Sequence, residues 1–464
     1  MSQVLGNPAI GDFAADSAET TTPKTVNSGA RLDRLPISRF HTRILWLIAG
    51  GAMIDAFDIY LAGGVSAGMA KEGFSTMHQN ALFISSTFIG MMLGAGFAGF
   101  IGDRFGRRVS YQINLLIFGL ASLAACFAPN IEVLSILRFI MGIGLGAELV
   151  VAAATLGEFV PPSHRGRWAA LLSMIIAAGL PLASLTSYLI IPTLGWRYMF
   201  GIAGVAAMFI WVLRKKMPES PRWLESVGRH EEAEATLLAI EKDVAAQKGP
   251  LPPVSRVQDL RVENAPLAEL FSKKILPRLF VAAAILITIN VTVYGFIIWI
   301  PSFFVSQGMT VTKSLGFTTT MTAGAIFGPF MAFLLADRIG RTRGIVASAL
   351  VLIALGATFP FMKTEPVIIA VGFSLVSAFY FMVSLGQFGF VPELFPTAFR
   401  LRGAGVAGML GRAVAIGTPF ATVFLFEHFG VYGVLAAVIT FLCVLIISIL
   451  ALRLETNGTP LEDI

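Results

Sequence analysis

Charge is scarce in this chain. Asp, Glu, Lys and Arg make up 13% of its 464 residues, against about 25% in an ordinary soluble domain, so most of its surface must face lipid or other apolar helices. Cysteine is nearly absent, and Cys126 and Cys443 both lie inside apolar runs. That excludes a disulfide framework and a cysteine metal cluster. The five histidines, His41, His78, His164, His230 and His428, are scattered without ligand spacing. No G-x-x-x-x-G-K-[ST] or H-E-x-x-H stretch occurs, so neither a P-loop nor a helical zinc-protease site is indicated and no enzyme is expected. No metal is expected, and no cofactor beyond a proton gradient. The net charge of +6 does not imply nucleic acid, because the basic residues fall in short loops between apolar runs.

What the chain does have is hydrophobic residues, at 56%. Runs of about 20 residues, enough to span a bilayer, predict helices near 44–66, 79–101, 109–128, 132–158, 166–191 and 195–213, then 279–305, 314–336, 345–363, 366–391, 404–427 and 430–452. The expected fold is therefore an all-α polytopic membrane protein of twelve transmembrane helices. Lys and Arg cluster after the even-numbered helices, while the opposite turns carry only Lys71, Arg197, Lys313 and Lys363. By the positive-inside bias both termini and the central loop are cytoplasmic. The expected organisation is a disordered tail over 1–40, a first bundle over 41–213, a cytoplasmic linker over 214–275, a second bundle over 276–453 and a tail over 454–464. The linker mixes Glu231, Glu232, Glu234 and Glu241 with Lys242 and Lys248, which suits short amphipathic helices on the membrane surface.

The two bundles repeat. Gly99-Phe-Ile-Gly-Asp103-Arg104-Phe-Gly106-Arg107-Arg108 is answered by Leu334-Leu-Ala-Asp337-Arg338-Ile-Gly340-Arg341, 234 positions later. Glu158-Phe-Val-Pro161 with Arg165 and Arg167 is answered by Glu393-Leu-Phe-Pro396 with Arg400 and Arg402, at an offset of 235. Two motif pairs at nearly one offset argue for pseudo-symmetric halves with a substrate site between them.

Several residues carry chemistry. Asp55 and Asp58 share a helix face, and two like charges so close suit a carboxyl that takes and releases a proton. Alternatively they are structural, paired to Arg138 or capping a broken helix. Glu148, mid-way along the fourth helix, is either a second protonation site or a hydrogen-bonding partner for the first helix. Arg138 is buried with these groups or snorkels to water. Arg412 interrupts an apolar, small-residue helix near mid-depth, where a permanent charge needs an anion; a substrate carboxylate or a structural partner would serve. Asn290, which aligns with Asp55 in the repeat, is followed by Tyr294, Phe296 and Trp299, and Tyr380, Ser384 and Gln387 recur at helical spacing. These are candidate substrate contacts, with Trp299 assigned to the interfacial aromatic belt. Pro181 and Pro301 mark kinks. Asp103 can meet the positive end of a helix in the other half, while Arg104, Arg107 and Arg108 can bind carbonyls or Glu158, so the loops form a cytoplasmic gate with Asp337, Arg338, Arg341, Glu393 and Arg400 as its second copy.

Taken with Arg138-Phe-Ile-Met-Gly142-Ile-Gly144-Leu-Gly146 and Pro218-Glu-Ser-Pro-Arg222-Trp-Leu224, these motifs resemble the major facilitator superfamily over roughly residues 40–455. Leu32-Asp-Arg-Leu-Pro36 and Asp55-Ala-Phe-Asp58 resemble its aromatic acid:proton symporters and their nicotinate-transporting relatives, with Ala56 where those usually carry Gly. Phe333 also departs from the loop pattern. The resemblance implies a monomeric secondary transporter in a bacterial inner membrane. It would move a small organic anion with protons by alternating access, Arg138 linking the proton site to the rest of its bundle and Arg412 meeting the anion. A sugar or organic-cation porter is the alternative.

Overall fold

Backbone polar groups that face lipid find partners only within a helix or a closed barrel, and the described residues build helices throughout. The computed structural model describes residues 26–254, 271–273, 275–395 and 400–452. A short α1 (Ser28–Asp33) precedes the first half, which comprises α2 (Arg39–Lys71), α3 (Met77–Phe105), α4 (Arg107–Ala125), α5 (Ile131–Phe159), α6 (Pro162–Ala177) continued by α7 (Gly179–Leu194), and α8 (Arg197–Arg214). Then come α9 (Pro221–Ser226) and α10 (His230–Lys248). The second half comprises α11 (Leu276–Gly295) continued by α12 (Ile300–Ser306), α13 (Val311–Thr322) continued by α14 (Gly324–Ile339), α15 (Arg341–Thr358), α16 (Glu365–Val383) continued through π-helical turns at Ser384–Phe390 into α17 (Val391–Glu393), and α18 (Arg400–Leu452). α18 holds two spans that turn at Gly430, whose φ of 63° only glycine adopts easily. With each broken pair counted once, the described residues form twelve spanning helices in two halves of six.

The repeat is visible in packing as well as in motif. Gly90 and Gly94 of α3 lie so close to α5 that a Cβ would come within 2.2 Å of Phe139 O and 2.0 Å of Ile143 O. In the second half Gly324 and Gly328, each 234 positions later, press α14 onto α16 in the same way, 2.6 Å from Phe373 O and 2.3 Å from Ser377 O. Lipid gives helices no hydrophobic reason to associate, so small residues that let backbones touch supply the packing. Gly106 (φ 98°) and Gly340 (φ 86°) start α4 and α15 at equivalent positions.

Some expectations need correction. The spans are less regular than apolar runs suggest. The break after α11 frees two carbonyls, and Trp299 Nε1 donates to Tyr294 O at 3.1 Å while Thr422 Oγ1 donates to Gly295 O at 3.2 Å. Trp299, expected in the interfacial belt, is accordingly buried at 1% exposure, because its indole N–H is used inside the bundle. The expected 1–40 tail is also wrong over its second part, where α1 is docked on α9 and α10; residues 1–25 lie outside the described residues. α10 does not lay its apolar stripe on lipid, because Ala233, Leu237, Ile240 and Val244 are buried within the chain.

That docking is polar at its rim. Glu225 accepts from the N–H groups of Asn27 (2.9 Å) and Ser28 (2.8 Å) and from the Ser28 hydroxyl. Arg31 bridges Glu234 (2.6 Å) and Glu241 (2.7 Å), and Arg34 also meets Glu241 at 2.6 Å. Burial works to raise both carboxyls, but these hydrogen bonds outweigh it and hold Glu225 and Glu241 below the ordinary carboxylate range.

Candidate functional site

The first half carries its charge in its core. Arg138 of α5 places Nη1 2.5 Å from Asp58 Oδ2 and donates more weakly to the Asp58 carbonyl, with Phe83 and Phe200 flanking its guanidinium. Both residues are at most 1% exposed. Arg138 is thus held in a buried pair and does not snorkel. Glu148 meets a cation that was not foreseen, Arg214 at the last turn of α8, at 2.5 Å from Nη2. This is ionic contact without a well-aligned hydrogen bond, as neither Glu148 oxygen has a hydrogen-bond partner among the described residues. Arg214 also donates to the first spanning helix, Nε to Leu47 O at 2.7 Å and Nη2 to Ile48 O at 3.0 Å, and lies over the Tyr111 ring at 4.4 Å. Asp55 is buried within the electrostatic reach of Glu148, Arg214 and Asp58, and its Oδ2 has no hydrogen-bond partner among the described residues.

Among the described residues the second half keeps one charge at this depth. Arg412 lies on α18 about 18 Å along the helix from Arg400 and is partly buried. Among the described residues it has no ion pair or hydrogen bond, and the Tyr294 hydroxyl is its polar neighbour. Asn290 donates to Leu286 O at 2.6 Å, and its Nδ2 packs 2.9 Å from where a Cβ on Gly411 would sit, beside Arg412. Tyr380 reaches Tyr60 of α2, hydroxyl to hydroxyl at 3.0 Å, and Tyr294 packs at a tilt against Phe88 of α3 with centroids 4.2 Å apart. Ser384 donates to Tyr380 O at 2.9 Å and Gln387 is half-buried, both in the π-helical turns of the tenth span. The structure thus gathers Asn290, Tyr294, Tyr380 and Arg412 with Tyr60 at the seam of the halves. A cleft of about 920 Å³ lined by Thr320, Lys363, Glu365 and Phe373 involves none of these residues.

The loop motifs make matching contacts. Arg107 donates to Glu158 from Nε (3.1 Å) and Nη2 (3.0 Å), and Arg341 Nε stands 3.6 Å from Glu393. The N–H groups of Arg107 and Arg108 point at Glu219, at 3.0 and 3.2 Å, and Arg108 also donates to Lys215 O at 2.7 Å. Burial raises the Glu219 carboxyl despite these bonds. Arg222 donates to Glu158 O at 2.9 Å and pairs with Asp33 at 2.5 Å, so the gate motif, the linker and α1 form one network. Arg104 is exposed over Phe105. The side chains of Asp103, Asp337, Arg338 and Arg400 lie outside the described residues.

Arg214, Tyr60 and Tyr111 escaped sequence reading. A basic residue ending a span reads as a topology signal, and nothing local marks Arg214 as buried. The one available sign is indirect: a carboxyl inside a span, as at Glu148, calls for a cation or a proton.

Comparison with known proteins gives a family. A model described as "Sugar (and other) transporter" matches residues 44–464. The inner membrane metabolite transport protein YdjE of Escherichia coli (strain K12) is 37% identical over 94% of this chain and 98% of its own. The niacin transporter NiaP of Acinetobacter baylyi is 32% identical, covering 94% and 99%. Among solved structures, the inward-open xylose transporter XylE from E. coli superposes with a TM-score of 0.68 at 19% identity over 91% of this chain and 98% of that one. A double-Trp XylE mutant superposes at 0.69 and 21%, covering 92% and 98%.

Proposed function

The chain belongs to the sugar (and other) transporter family of the major facilitator superfamily, and on that footing we propose that it is a proton-coupled symporter of a small organic anion, an aromatic carboxylate of the benzoate or nicotinate type. It is a multi-pass membrane transporter, and the names of its relatives support a bacterial inner membrane. The observation that carries the substrate class is Arg412. A guanidinium near mid-depth is costly unless an anion meets it, and no carboxylate among the described residues does. A substrate carboxylate held bidentately supplies the partner, and the Tyr60, Tyr294 and Tyr380 rings suit an aromatic body. The similarity to a niacin transporter supports the same class.

The substrate binds between the halves, which rock about it. The gate residues Arg107 with Glu158 and Arg341 with Glu393, together with Asp103, Asp337, Arg338 and Arg400, hold one face closed in the alternate state.

Proteoliposomes given labelled nicotinate or benzoate test this. An inward proton gradient should drive accumulation, and Arg412→Ala should abolish it. Uptake indifferent to the gradient, or to Arg412→Ala, overturns the reading. Xylose uptake that leaves both acids unbound would instead place the protein with the sugar porters.

A further inference from the structure

The open cleft of about 920 Å³ lies apart from the seam of the halves and has two unlike ends. Lys363, Thr364 and Glu365 form one end, where α16 begins, and Ile369, Ala370 and Phe373 form the other, with Thr320 of α13 beside them. Both helices run inward from the face remote from the Asp-Arg-x-Gly-Arg loops. Thr320 stands nine residues after Val311 and Phe373 eight after Glu365, so the cleft reaches roughly 12–14 Å inward at 1.5 Å per residue. That is the depth of about one leaflet of the hydrocarbon core. Thr320, Ala370 and Ser374 are exposed along it, and at such depth an exposed flank is met by acyl chains.

The polar end carries an unspent positive charge. Glu365 is engaged by Lys313, whereas Lys363 has no ion pair or hydrogen bond among the described residues. Thr364, the N-cap of α16, makes no side-chain cap hydrogen bond, so its hydroxyl is left for another partner next to that ammonium. The fold does not demand this arrangement. In the first half the equivalent N-cap, Asn130, accepts from Val133 N at 2.9 Å, and Pro129 stands where the second half has Lys363. We propose that the cleft seats one anionic phospholipid of the leaflet remote from the gate loops, its phosphate on Lys363 and Thr364 and an acyl chain along Ile369, Ala370 and Phe373. A soluble anion would leave the apolar length bare, and a neutral hydrocarbon would leave Lys363 unpaired; a phospholipid satisfies both ends. The headgroup is anionic and not zwitterionic, because Glu365 is already held by Lys313 and a lipid ammonium would meet Lys363 instead. Arg412, Tyr60, Tyr294 and Tyr380 do not line the cleft, so the lipid does not compete with the substrate.

Native mass spectrometry of the full chain in detergent, titrated with palmitoyl-oleoyl phosphatidylglycerol, phosphatidylethanolamine or phosphatidylcholine, counts the lipids bound. One phosphatidylglycerol should bind about ten-fold more tightly than either zwitterionic lipid. Lys363→Ala should remove that preference. Ala370→Trp, which fills the apolar length, should weaken phosphatidylglycerol by a similar factor. Both positions are exposed, so neither change disturbs the core. Equal binding of the three lipids, or a preference that survives Lys363→Ala, overturns the proposal. So does phosphatidylglycerol binding unmoved by Ala370→Trp, which would reduce the effect to charge attraction at the surface. No transport is measured, so the outcome is separate from that of the gradient experiment.

Discussion

The Tyr380 hydroxyl donates to the Tyr60 hydroxyl at 3.0 Å, across the boundary between the halves. Other contacts between halves run the same way, from Ser85 Oγ to Ile416 O at 2.8 Å out to His78 and Glu427 at 3.2 Å. These contacts extend from mid-depth to the end remote from the Asp-Arg-x-Gly-Arg loops.

Tyr380→Phe should therefore loosen that end. One neutral hydrogen bond contributes about 1 kcal/mol net, so the closed population should fall roughly five-fold against the open one. Spin labels at the exposed Lys71 and Gln307 should report a longer distance in the variant. An unchanged distribution would mean that the hydroxyl pair is incidental to closure.

The first gate copy should contribute to stability. Arg107 reaches Glu158 with two hydrogen bonds near 3.0 Å. The Glu158 carbonyl and carboxylate also tie into Arg222 and Arg107 together. Glu158→Gln should cost about 1–2 kcal/mol and lower the Tm by a few degrees. An unchanged melting point would mean that this network does not hold the fold.

The α1 docking should depend on pH. Glu225 and Glu241 lie below the ordinary carboxylate value when docked, so their contribution is fully present above the unfolded value of about 4.3. It is lost as pH falls through the lower, docked values. Hydrogen exchange at Asn27 and Ser28, whose amides donate to Glu225, should be protected at neutral pH and lose protection in acid. Glu225→Gln should lose part of it at every pH. Protection that is flat across the acid range would break the link.

What sequence could and could not show has a physical pattern. The spans and the repeat are legible because lipid imposes a 20-residue apolar requirement and because Gly106 and Gly340 stand where only glycine turns easily. Arg412 is legible because a charge inside an apolar run is conspicuous. Arg214 is not, since its burial is created by Glu148 and by the Leu47 and Ile48 carbonyls, all far away in the chain. Nor is α1, whose carboxylate partners Glu225 and Glu241 stand 198 and 210 positions downstream of Asn27 and Arg31. Trp299 was misplaced because its partner carbonyl becomes free only when α11 breaks.

Two adjacent glycines separate backbone effects from the ion pair. Gly50 and Gly51 both lie inside α2, so replacing either by alanine removes the same helix penalty of about 1 kcal/mol. A Cβ at Gly50 meets the end of a flexible side chain, Ile210 Cδ1 at 3.1 Å. A Cβ at Gly51 would lie 2.0 Å from Arg214 Nη2 and 2.6 Å from Glu148 Oε1, a distance no buried ion pair can keep. Gly50→Ala should therefore be neutral or mildly stabilising. Gly51→Ala must displace the guanidinium from both carbonyls and from Glu148, and breaking a buried pair costs about 3–5 kcal/mol. Thermal melting of the two purified variants against wild type checks this. Similar melting points would show that Arg214 moves aside at no cost and that its contact with Glu148 does not hold the fold.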